Sequence, residues 1–128
     1  MNDAAIEAEI RNLIEAWADA VRRGDIECIV RDHLDDLVMF DVPEPVRTTG
    51  LDAYRETWAL FFRHNPPGPE RLLVEDLAVT AGTDVAFAHG LLRIGGGEPR
   101  CRLTMGLRKV DGRWRVSHEH HSMPIEIA

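Results

Sequence analysis

From Ile6 to Val21 the apolar side chains Ile6, Ile10, Leu13, Ile14, Trp17, Ala20 and Val21 recur at steps of three and four, the spacing of one helix face. Asp3 is placed to cap this helix and Gly24 to end it. A shorter helical pattern, Ile26, Ile29, Val30 and Leu34, follows the Arg23-Gly24-Asp25 corner and fades at Asp35-Asp36. The segment from Leu37 to Val42 is rich in branched and aromatic side chains and is stopped by Pro43, so it predicts a strand with Asp41 at its end. Pro43, Pro45 and Gly50 mark a loop. A third helix runs from about Leu51 to His64, where Pro66-Pro67 forbids continuation.

The rest of the chain alternates. Strands are expected over Arg71 to Val79, Val85 to Ile94, Arg100 to Val110 and Arg113 to Ser122, separated by Ala81-Gly82-Thr83-Asp84, Gly95-Gly96-Gly97 and Asp111-Gly112. The last of these separators is a strong hairpin signal. Helices followed by antiparallel strands predict an α+β fold, with the lone early strand rejoining the sheet. Strict alternation puts Trp114, Val116, His118 and His120 on one face of the last strand, and Val85, Phe87, His89 and Leu91 together on theirs. Cys101, Leu103, Met105 and Leu107 form the apolar face between them. On that reading His89, His118 and His120 enter the core.

With 128 residues, one domain spanning 1–128 is expected. A net charge of -7 with scattered arginines argues against nucleic acid. No apolar run approaches the roughly 20 residues of a membrane helix. The acidic start of the chain reads as neither signal nor transit peptide, so a cytoplasmic protein is expected, with Cys28 and Cys101 as reduced, small apolar residues.

Asp41 stands between Phe40 and Val42, where a carboxylate can serve as a proton-abstracting base; the plainer role is to cap the Pro43-Glu44-Pro45 turn. For His118 and His120, with His89 across the sheet, three roles stay open: polar pocket lining, ordinary hydrogen-bonded burial, or nitrogen ligands to a metal. Trp17, Tyr54, Trp58, Phe61 and Phe62 are core side chains by default, and also the kind that line a small-molecule pocket.

Several strings, in this order, resemble the nuclear transport factor 2-like superfamily, in its SnoaL-like and ketosteroid-isomerase-like branch. They are Arg23-Gly24-Asp25, the run Leu34 to Asp41, Gly50-Leu51-Asp52-Ala53, and the run Arg108 to Val116. The resemblance implies a cone-shaped fold, three N-terminal helices packed in the concavity of a curved, mainly antiparallel sheet. It also implies a deep pocket and commonly a homodimer through the outer face of the sheet. The catalytic base of the steroid isomerases matches Asp41. Their oxyanion-binding Tyr matches Trp17 and their second acid falls near Met105; Trp offers one donor there and Met none.

The combined expectation is a cofactor-independent acid-base enzyme of isomerase, cyclase or dehydratase type, acting on a small apolar carbonyl compound. Asp41, His118 and His120 are its expected catalytic residues, and Trp17, Tyr54, Trp58, Phe61, Phe62, Phe87, His89 and Met105 its substrate-binding residues. The alternatives are a non-catalytic ligand-binding or dimerisation domain of the same fold, and a metal-dependent enzyme using the histidine cluster.

Overall fold

The computed structural model describes residues 3–127. Helix α1 spans Asp3–Arg23, α2 spans Ile26–Val30 and α3 spans Leu51–His64. The strands are β1 His33–Phe40, β2 Thr48–Thr49, β3 Leu72–Ala81, β4 Val85–Ile94, β5 Cys101–Val110 and β6 Arg113–Ser122. They form one six-stranded sheet in the order β2-β1-β6-β5-β4-β3. β1 rejoins the sheet parallel to β6, and every other pairing is antiparallel. This is the expected α+β architecture, with the helices packed against one face of the sheet.

The local chemistry is that of the sequence signals. Gly24 ends α1 in the left-handed region, at φ 69°. A Cβ placed there would lie 2.5 Å from Pro67 Cγ, so both the turn and the close approach require glycine. Asp25 then caps α2 by accepting a hydrogen bond from Cys28 N. The β5–β6 hairpin closes through Asp111 and Gly112, at φ 52° and 78°, as a two-residue turn of this twist requires.

The inner face buries Ile10, Ile14, Trp17 and Val21 of α1, Tyr54 and Trp58 of α3, and Leu37, Met39, Leu92, Leu103, Met105, Leu107, Trp114 and Val116 of the sheet. Several boundaries differ from expectation: β1 ends at Phe40, so Asp41 lies just past the strand and not within it, and β3 continues through Ala81. α2 stops at Val30 and β1 begins at His33, because the segment around Leu34 pairs with β6 instead of extending the helix. The loop before α3 also holds the short β2, which pairs with β1 through Thr48 and Thr49.

The faces of two strands differ as well, and this moves the histidines. In β6, Leu107 pairs with Val116 but Gly106 pairs with His118, so Ser117 is an extra residue that resets the alternation. Beyond it Glu119 and His121 point inward, while His118 and His120 lie on the outer face. In β4 the buried row is Ala86, Ala88, Gly90 and Leu92, so Val85, Phe87 and His89 face outward.

The Gly24 corner yields a stability test. Gly24→Ala forces a side chain into a left-handed residue and into Pro67, and is expected to cost about 1–3 kcal/mol in urea unfolding.

Candidate functional site

At the centre of the inner face sits Glu119, with no solvent exposure. Its carboxylate accepts from Tyr54 Oη at 2.9 and 3.1 Å and from His33 Nε2 at 2.9 Å. His121 Nε2 lies 2.9 Å from its other oxygen, an ion-pair contact whose angle departs from that of an in-line hydrogen bond. Trp17 Nε1 donates to Tyr54 Oη at 3.1 Å, which leaves the phenol proton directed at the carboxylate. The rings stack on one another: His33 on Tyr54 at 4.7 Å, and Trp17 on His121 at 6.3 Å.

The other edge of His121 reaches Asp41: Nδ1 and Asp41 Oδ1 are 3.2 Å apart. That same oxygen accepts from Val42 N at 2.8 Å, so Asp41 does bond its own loop, as a turn residue would. Both contacts fall on Oδ1. His121 is thereby held between two carboxylates, one fully buried and one at the edge of a cavity.

Charge follows from this geometry. Burial alone would lower the His121 pKa, but hydrogen bonding and Coulombic attraction from Asp41 and Glu119 outweigh it and raise it from 6.5 to about 10. Burial alone would raise Glu119, yet hydrogen bonds and charge from His121 and His33 hold it at about 2. Tyr54 is pushed well above its ordinary value by burial first and by the adjacent Glu119 charge second, so its phenol stays protonated. At neutral pH Glu119 is therefore a carboxylate and His121 an imidazolium.

Asp41 and His121 border a cavity of about 360 Å³. Met39, Trp58, Leu60, Phe61, Leu72, Leu92, Ile94 and Met123 supply apolar walls, and Val42, Pro43, Glu44 and Pro45 line it from the loop after β1. No lysine or arginine lines it. The volume and the few convergent polar groups suit a small, largely apolar organic molecule.

Of the expected binding residues, Trp58 and Phe61 line this cavity. Trp17, Tyr54 and Met105 lie behind it in the core, Trp17 and Tyr54 as donors to the network and Met105 directly opposite Glu119 on β5. Phe62 packs against Trp58 and does not line it. His118, His120, His89 and Phe87 face away on the outer side of the sheet, for the reasons of register given above. An internal three-histidine metal centre is therefore not built, and among the described residues no three His, Cys, Asp or Glu side chains converge as ligands.

Sequence reasoning missed His33, Glu119 and His121. The signal for the last two was present in the string His118-Glu119-His120-His121, which carries an inward acid and imidazole in one register and two inward imidazoles in the other. At the place where the resemblance sets a second acid stands Met105, and Glu119 is the residue that faces it on the neighbouring strand.

Comparison with known proteins agrees with this architecture. The model of the SnoaL-like domain family matches residues 10–126, and the chain belongs to that family. An NTF2-like protein of unknown function from Pseudomonas putida is 38% identical, with a TM-score of 0.87 over 98% of this chain and 91% of that one. Two more distant structures share the fold. A ketosteroid isomerase-like protein from Erwinia carotovora atroseptica has 20% identity and a TM-score of 0.75 over 98% and 100% of the two chains. A candidate dehydratase of the NTF2-like family from Streptomyces avermitilis has 18% identity and a TM-score of 0.78 over 98% and 100%. No curated protein matches the sequence. No helix among the described residues is long and apolar enough to cross a membrane.

Two outcomes test the network. Glu119→Gln places an amide among three donors that need an acceptor, and is expected to destabilise the fold by about 3 kcal/mol in chemical denaturation. Because the His121 pKa is raised on folding, its contribution is whole below 6.5 and disappears as pH climbs through about 10. Stability should fall across that window at up to about 1.4 kcal/mol per pH unit, and His121→Asn should flatten the slope. Glu119 reports the same contact from the acid side, whole above 4.5 and lost as pH falls through about 2, so the two contributions do not add.

Proposed function

We propose that this protein binds a small, largely apolar carbonyl compound in the cavity and moves a proton on it, with Asp41 as the base. The observation that supports this most is the position of Asp41. Its Oδ1 is pinned by Val42 N and His121 at the border of an apolar cavity, and Oδ2 carries no hydrogen bond among the described residues. A carboxylate oriented through one oxygen at the border of a cavity is a candidate to reach a proton of a molecule bound there.

The step conserves electrons. Asp41 removes a proton from the carbon next to the carbonyl, negative charge moves to the carbonyl oxygen, and the proton is returned elsewhere on the substrate or lost with a leaving group. His121, held as imidazolium beside Asp41, supplies positive charge where the enolate forms. The same character removes His121 from proton exchange near neutrality, so the proton work falls to Asp41. The names of the Erwinia and Streptomyces proteins, an isomerase-like protein and a candidate dehydratase, are compatible with such a transfer. A homodimer through the outer face of the sheet is part of the proposal, supported by the exposure there of Phe40, Val85 and Phe87.

The test is solvent deuterium uptake into bicyclic ketones such as 2-tetralone, followed by NMR with wild type, Asp41→Asn and His121→Asn. Wild-type protein is expected to accelerate exchange, and Asp41→Asn to reduce it at least about 100-fold while still binding the ketone. Exchange that is unchanged in Asp41→Asn contradicts Asp41 as the base. Ketone binding with no exchange in any form would favour the non-catalytic ligand-binding reading.

A further inference from the structure

The register reset at Ser117 leaves His118 and His120 on the outer face, two residues apart on one strand and used by nothing in the inner site. Their ring centroids are 6.4 Å apart, and Phe40 of the adjacent β1 packs edge-on against both, at 4.9 and 5.5 Å. His118 is half-buried and His120 exposed.

His118 Nδ1 lies 2.7 Å from the carbonyl oxygen of Val38. A carbonyl only accepts, so Nδ1 carries the proton, and in the neutral ring the lone pair sits on Nε2. An imidazole oriented by a backbone carbonyl through one nitrogen, with the lone pair on the other, is a common arrangement for a metal ligand. Neither His118 nor His120 forms an ion pair among the described residues, whereas His33 and His121 both do.

We propose that His118 and His120 chelate a late first-row divalent ion, of the zinc, nickel or copper type that imidazole nitrogens favour. The ligands are His118 Nε2 and one ring nitrogen of His120, brought together by rotation of the exposed His120 side chain. No third protein ligand converges on them among the described residues, so the remaining positions fall to water or to the same pair on a second copy. Glu119 and His121 lie on the opposite face of the same strand and stay with the cavity. The site is thus separate from the proposed acid-base chemistry.

The experiment is calorimetric titration of nickel and of zinc into untagged, metal-stripped protein in excess magnesium, with mass in solution followed by light scattering. Saturable binding is expected in wild type. His118→Ala and His120→Ala should each weaken it about tenfold or more, while Cys28→Ser, which removes the half-exposed thiol elsewhere, leaves it intact. A stoichiometry of one ion per chain or one per two chains tells whether water or a second copy completes the shell, and either supports the chelate. Absence of saturable binding, or equal affinity in the His118→Ala/His120→Ala double variant with an unchanged metal-free melting temperature, overturns it. Ketone binding in the cavity, compared in the same double variant, reads the inner site independently.

Discussion

A carboxylate with no access to water stays ionised only when donors surround it, and Glu119 imposes that requirement on the inner site. The donors come from three different elements. His33 opens β1, Tyr54 lies on α3 and His121 follows on β6 itself, while Trp17 of α1 holds the Tyr54 hydroxyl from behind. One buried charge therefore fixes how the first and third helices seat on the sheet. The short hydrogen-bonded contacts and stacked rings around it leave few alternative packings.

The same requirement shapes the cavity. His121 is drawn inward to balance Glu119, and its second nitrogen then reaches Asp41, which would otherwise be a turn residue bonded only to Val42 N. Charge is thus conveyed from the core to the cavity edge through one imidazole. No lysine or arginine lines the cavity, and of the side chains that line it His121 is the one hydrogen-bonded to Asp41. That is the physical basis for reading Asp41 as a base whose position, more than its isolated chemistry, gives it a function.

Much of the fold was legible in the sequence. Residues that obey a single period, such as the Ile10-Ile14-Trp17-Val21 face of α1, the α3 span before Pro66-Pro67 and the Asp111-Gly112 hairpin, are where they were expected. Asp41 was singled out by its setting between Phe40 and Val42 and by the SnoaL-like resemblance, and it does border the cavity. Its imidazole partner was not, because alternation was counted from Trp114 and Val116 across a bulge at Ser117, a single polar residue within a strand that hydrophobic patterning does not mark as extra. β4 misled in another way. The large side chains Val85, Phe87 and Leu91 lie on the outer face, and the inner row before Leu92 is the small set Ala86, Ala88 and Gly90. Gly90 is small for a reason visible only in three dimensions, since a Cβ there would lie 3.0 Å from the Glu75 carbonyl oxygen at the β3 irregularity.

The central claim is that His121 is an imidazolium locked between Asp41 and Glu119, and the direct measurement is its titration by nitrogen-proton NMR of the histidine rings. The account predicts one ring, removed by His121→Asn, that keeps both nitrogens protonated from pH 5 through pH 8 and deprotonates near 10. If the ring assigned to His121 instead titrates near its ordinary value of 6.5, the charge network is not formed and the case for Asp41 loses its support.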